Sequence, residues 1–276
     1  MAITAKEVNQ LRKMTGAGMM DCKKALVESD GDFDKAIEIL RKKGQKVSEK
    51  RAGRDTKEGS VFIRTTEDGT YGVMIALGCE TDFVAKNEEF QQLGKDILAV
   101  AFAEKPASID ELKALKIGDL TVQDKITELI GKIGEKLEIL AYETLSSELV
   151  VPYIHAGSKL GVMVALKNID GEDVQGAGRD VAMQIAAMSP VAVDKNDVPQ
   201  EVIDRELEIG REQARAEGKP DNIVDRIAEG KLNKYFKEHT LLNQAFVKDS
   251  SVTVGKYLQS VKNGLTVAAF KRVAIG

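Results

Sequence analysis

The chain contains no tryptophan, and its 276 residues include only five tyrosines and eight phenylalanines. An aromatic-lined pocket or a base-stacking surface for nucleic acid calls for more of these rings. The two histidines, His155 and His239, and the two cysteines, Cys22 and Cys79, do not stand at metal-ligand spacing. Two thiols far apart in sequence suit a reducing cytosol rather than a disulfide framework. No apolar run approaches the roughly 20 residues of a membrane helix. The start, MAITAKEV, lacks the apolar core of a signal peptide, so a cytoplasmic protein is expected. Nor is there an excess of basic charge: a net charge of −4 is not the footprint of a nucleic-acid binder, and no direct nucleic-acid binding is expected.

What is present is ordinary globular material, 43% hydrophobic and 30% charged, long enough for about two domains. Thr4 and Glu7 have the spacing of a capping box, followed by Val8, Leu11 and Met14 at helical intervals. The glycines of TGAG break that helix. A second helix is predicted over Met19–Glu28 with Cys22, Ala25 and Leu26 inward. Ser29-Asp30-Gly31-Asp32 breaks again, and Phe33, Ala36, Ile37 and Leu40 give a third helix ending near Gly44. Three short helices make a small core of the kind used for docking, similar to a ubiquitin-associated (UBA-like) bundle. The following stretch, RKKGQKVSEKRAGRDTK, holds eight basic residues against two acids and reads as a solvated basic linker over 46–58. An RNA contact or a steering patch for an acidic partner is the functional alternative.

The middle of the chain repeats one grammar twice. VFIRTTEDGTYGVMIAL at 61–77 aligns with VPYIHAGSKLGVMVAL at 151–166, the second hairpin turn reading one residue shorter. LGKDILAVAFA then resembles AGRDVAMQIAA, helices presenting Ile97, Leu98 and Phe102 or Val181, Ile185 and Met188. A hairpin with one apolar face needs a helix to cover it. The expected class is α+β, with two related antiparallel-sheet-plus-helix subdomains at 59–146 and 147–276 behind a helical unit at 1–45. Helical segments at 110–136 and a strand at 138–145 connect the copies. An insertion at about 197–238 reads as two helices joined at EGKP, with a thin stripe in which Val202, Ile203, Leu207 and Ala214 meet Ile223, Val224 and Ile227. So narrow a stripe suits a projecting coiled-coil hairpin. A helix in TVGKYLQSVKN and a closing strand in LTVAAFKRVAI end the chain.

Catalytic constellations are scarce. Cys79, His155 and Asp82 form the one nucleophile triad that can be drawn, but a thiol ending an apolar strand is by default buried and inert. QGAGRD lacks the third glycine of a dinucleotide loop, and GAGMMDCKK lacks the order of a phosphate loop. The chain is expected to bind rather than to act as an enzyme, with no cofactor. The informative piece is CETDFVAKN at 79–87. Its Thr81–Lys86 stretch reads as a loop between an apolar strand and a helix capped by Asn87. Phe83 is there either a lid on the core, which residue preference alone favours, or an exposed anchor. Met19 and Met20 are consecutive, so one helix face cannot bury both.

TGAGMMDCKKAL at 15–26 and CETDFVAKN together resemble the elongation factor Ts family, and the helical unit, paired copies and hairpin extend that likeness over essentially the whole chain. The resemblance implies a guanine-nucleotide exchange factor whose partner is elongation factor Tu. It implies that Arg12, Met19 and Met20 dock the N-terminal module on the GTPase. Thr81, Asp82, Phe83 and Val84 would enter beside the partner's magnesium site, and His155 would press near its phosphate loop. Some family members continue with a further C-terminal helical module where this sequence ends at Gly276, so contacts of that module do not carry over. The alternative reading is a non-enzymatic adaptor that binds through the three-helix module without nucleotide exchange.

Overall fold

A computed structural model describes residues 3–276 of the chain. Three helices open it: α1 (Ala5–Thr15), α2 (Met19–Glu28) and α3 (Phe33–Arg51). The Thr4–Glu7 capping box starts α1, Gly16 ends it in the left-handed region at φ 65°, and Asp32 caps α3. Val8, Leu11, Cys22, Ala25, Leu26 and Ala36 are buried together at the centre of the bundle. The expected stop near Gly44 is corrected: α3 runs on to Arg51, through the first six residues of the stretch read as a linker, and 52–57 are irregular. Gly44 is buried against α7 (Val122–Ile133), where a Cβ would meet the Thr127 carbonyl at 3.0 Å. The glycine is therefore a contact point between helices and not a break.

The remainder is α+β. Strands β1 (Glu58–Thr65), β2 (Tyr71–Cys79) and β5 (Leu137–Ser146) form one antiparallel sheet in the order β1-β2-β5. Strands β6 (Leu149–Ile154), β7 (Leu160–Lys167) and β10 (Thr266–Ala274) form the other, in the order β10-β7-β6. Between β2 and β5 come α4 (Asp82–Ala85), α5 (Glu88–Glu104), α6 (Ile109–Ala114), a short β3–β4 ribbon (Lys116–Ile117, Leu120–Thr121) and α7. After β7 come α8 (Gln175–Met188), α9 (Gln200–Ala216), α10 (Asp221–His239), a second ribbon β8–β9 (Ala245–Phe246, Asp249–Thr253) and α11 (Val254–Val261).

Side chains alternate across each central strand, as the pleat requires. Val73, Ile75 and Leu77 face the cluster under α5 and α7, while Met74 and Ala76 face the other sheet. In the second copy Val162, Val164 and Leu166 face α8, and Met163 and Ala165 face back. The two sheets pack on each other and helices cover their outer faces, which is why both central strands are continuous apolar runs. The hairpin turns are equal in length, correcting the shorter second turn. Thr65 pairs Gly72 and Ile154 pairs Gly161, each followed by one more closing bond, from Thr66 N to Tyr71 O and from His155 N to Leu160 O. Met188 is also corrected: it is exposed, while Val181 and Ile185 are buried.

Candidate protein-docking site

The stretch expected as a loop at Thr81–Lys86 contains one helical turn, α4. Thr81 Oγ1 accepts from Val84 N at 3.4 Å, and Thr81 itself donates from N and Oγ1 to Glu135 at 3.0 and 2.8 Å. Asn87 caps α5 immediately afterwards, accepting from Glu89 N and Phe90 N. Gln91 Nε2 donates to Ala85 O at 2.7 Å and so satisfies a carbonyl at the end of α4. The turn is thus fastened at both ends, which fixes what each side chain faces. Val84 and Ala85 are buried in the cluster under α5; Phe83 is 81% exposed. The lid reading of Phe83 fails, because Val84 and Ala85 cover the core. Asp82 lies beside it on the surface, paired with Lys86 at 2.7 Å. The hydrogen bond from Lys86 holds the Asp82 carboxyl below its ordinary range.

Cys79 is completely buried, and its thiol donates to Thr81 O at 3.1 Å. Burial first, then the nearby charges of Glu135 and Glu58, push the thiol up to about 12. A thiol so placed supplies no thiolate nucleophile near neutral pH. His155 Nδ1 instead lies 2.8 Å from Tyr153 Oη, and Asp82 is taken by Lys86. The Cys79–His155–Asp82 triad is not assembled.

His155 is exposed in the β6–β7 turn, and that turn reaches the same end of the sheets as α4. Val61 N donates to Ser158 O at 2.7 Å, and Lys159 pairs with Glu58 at 3.1 Å. Glu58 is the register partner of Cys79, three residues before Asp82. The sheet packing therefore brings His155 and Phe83 to neighbouring loops from distant parts of the sequence.

In the helical bundle Arg12 is exposed, and Met19 and Met20 are both exposed, at 52% and 60%. Met14, at 57%, joins them from the last turn of α1. At about 100° per residue, two three-residue steps carry Met14 about 120° off the Val8 face, and Thr15 takes its place there. The Met14–Gly16 turn borders a groove of about 330 Å³ shared with Glu89, Leu93 and Lys132. Lys132 pairs with Glu89 in the first turn of α5, and a side chain at Gly16 would run into its ammonium. Met14 thus brings one exposed apolar side chain of the bundle beside the element that follows α4. Sequence reasoning grouped Met14 with Val8 and Leu11, and gave Glu80 no role although it stands inside CETDFVAKN. It missed Glu135, whose one signal is an acid just after the helix-ending Gly134.

A family model described as elongation factor TS matches residues 80–276. The chain is 59% identical over 276 residues to elongation factor Ts of Amoebophilus asiaticus (strain 5a2), covering all of both chains. It is 58% identical over 274 residues to elongation factor Ts of Cytophaga hutchinsonii, covering 99% of each. With elongation factor Ts of Porphyromonas gingivalis (strain W83) the identity is 51% over 276 residues, covering 100% of this chain and 99% of the relative.

Proposed function

The chain belongs to the elongation factor Ts family, and from that premise we propose that it is a cytoplasmic guanine-nucleotide exchange factor for elongation factor Tu, releasing GDP so that GTP can bind. The observation that carries the reading is an 81% exposed Phe83 on a turn anchored at both ends. An exposed large apolar group held in place is a ready anchor for a partner pocket. In this reading Thr81, Asp82, Phe83 and Val84 form the segment that enters beside the partner's magnesium site, with the Phe83 ring as the wedge. His155 presses on the phosphate-loop side. The UBA-like bundle docks through Arg12, Met19 and Met20, and the α9–α10 coiled-coil hairpin projects away from the exchange chemistry.

No covalent step, catalytic residue or cofactor is involved. A factor that binds the distorted, nucleotide-free partner more tightly than the GDP form lowers nucleotide affinity by that difference. Linkage makes the effect reciprocal, so GDP weakens the grip of the factor equally. A thousandfold faster release needs ~4 kcal/mol. Burying one Phe ring supplies ~1.5–3 kcal/mol, so Phe83 carries a large share and the remaining contacts supply the rest.

The test is loss of fluorescent GDP from purified elongation factor Tu with and without this protein. Strong acceleration is expected. Complex formation with unchanged release would overturn the exchange reading and leave an adaptor.

A further inference from the structure

A four-residue helix has too few internal hydrogen bonds to hold itself. The rigidity of α4 must come from outside, and its source lies in the two residues before Asp82. Glu80 accepts the backbone N–H of Lys136 at 2.7 Å, and Glu135 accepts the backbone N–H of Thr81 at 3.0 Å. Residues 80–81 and 135–136 thus exchange carboxylate-to-backbone bonds in both directions. Glu135 also takes the Thr81 hydroxyl proton at 2.8 Å. A hydroxyl that donates there turns a lone pair elsewhere, and Thr81 Oγ1 is the group that caps α4 by accepting from Val84 N. Glu135 therefore sets the cap itself. Arg51, the last residue of α3, adds a third hold, with Nη1 2.9 and 3.2 Å from the two carboxylate oxygens of Glu80.

We propose that this reciprocal clasp, with Glu135 as its main member, positions Phe83 for exchange. Glu135 acts through the root of α4, by its bonds to Thr81. The inference rests on the exchange reading above. It assigns Glu135 and Glu80 the role of positioning residues: without them α4 frays, the Phe83 ring samples many directions, and its contact with the partner loses orientation.

The test uses the full chain and elongation factor Tu loaded with fluorescent GDP. Glu135→Ala is expected to lower the maximal release rate about five- to twentyfold, less than removal of the ring itself, because the ring is kept and only its orientation is lost. The half-saturating concentration should change less than the maximal rate, since the contacts of the bundle are kept. Glu135→Gln keeps one acceptor oxygen for Thr81 and should fall between wild type and Glu135→Ala. The decisive arm is the double variant with Phe83→Ala. If Glu135 acts through the ring, the double variant is no slower than Phe83→Ala alone. Multiplying losses, or a Glu135→Ala protein with the wild-type maximal rate, would overturn the clasp while leaving the exchange reading intact. A wild-type protein that does not speed release would overturn the reading and the clasp with it. Should Glu135→Ala lose its cooperative melting transition, the same cycle run with Glu135→Gln decides.

Discussion

Phe83 and Val84 are neighbours in sequence with opposite environments, 81% and 8% exposed. Residue preference puts the larger ring inside. The side that wins is set by how Thr81 is gripped, and that grip comes from Glu135, 54 positions along the chain. Thr81 and Asn87 give local caps, but the carboxylate that orients Thr81 lies outside CETDFVAKN. The segment was therefore legible as a candidate site, and its inner and outer faces were not. Exposure makes a sharp forecast for Phe83→Ala. A truncation on the surface costs little stability, and the melting temperature should stay within about 2 °C. The maximal GDP-release rate should fall by about one to two powers of ten if ~1.5–3 kcal/mol of burial in the partner is lost. Phe90→Ala, at a fully buried ring, is the contrast: a core truncation of that kind costs about 3–5 kcal/mol of folding stability. Calorimetry and stopped-flow release on the two variants separate wedge from core. A strongly destabilised Phe83→Ala, or a stable one with wild-type maximal release, would sink the wedge.

Among the elements, several helix starts were readable, α1 and α5 by the caps Thr4 and Asn87 and α2 from the glycines before it. The capped starts of α6 and α7 were not resolved. Thr4, Asp32, Asn87 and Thr253 each accept a backbone N–H at the start of a helix. The end of α3 was not readable, because its basic run suggests a solvated tether. Lys, Arg, Gln and Glu are good helix formers, and packing against α7 carries the helix through Gly44. The α9–α10 pair was legible in place, but its closest contact was not. Gly210 and Ala228 are both buried, and a Cβ on Gly210 would lie 3.0 Å from Ala228 Cα. The predicted Val202, Ile203 and Leu207 remain only half-buried beside them. Below the pair the chain is tied by bonds from Val191 N to His239 O, Leu241 N to Ala192 O and Leu242 N to Val193 O, at 2.9, 2.9 and 3.0 Å. A hairpin that buries few side chains, on a base held by its own bonds, contributes little to the core. Deleting 200–237 and joining the ends should therefore leave one cooperative melting transition and measurable GDP release. A deletion variant that melts without cooperativity would show that the hairpin supports the fold.

At the scale of the molecule, the repeated GVM of the two hairpins has a shared cause. A Cβ on Gly161 would meet Met74 Sδ at 2.9 Å, and a Cβ on Gly72 would meet Met163 Sδ at 2.9 Å. Each copy supplies the gap that the methionine of the other fills, so the two sheets close reciprocally. The helical bundle is attached by a similar device. A Cβ on Gly131 of α7 would lie 2.8 Å from Gly44 Cα, backbone against backbone, where no side chain can swing aside. Bundle and sheets have separate buried clusters, so this contact governs placement more than folding of either part. Gly131→Val should then displace α3 while both parts stay folded, with any cost falling on the seating of the bundle, about 1–3 kcal/mol by analogy with overpacked cores. Arg12, Met19 and Met20 would no longer be held in register with Phe83. Binding through both at once would weaken, raising the half-saturating concentration about 5- to 150-fold. At saturation Glu135 still holds the wedge, so the maximal release rate should fall only by the small share that the Arg51–Glu80 contact at the end of α3 adds. The main effect is that of a lost uniform-binding contribution. GDP release measured across a range of Gly131→Val concentrations checks this. Normal half-saturation with slowed maximal release would mean that bundle placement acts on the exchange step itself, against the division between docking and wedge.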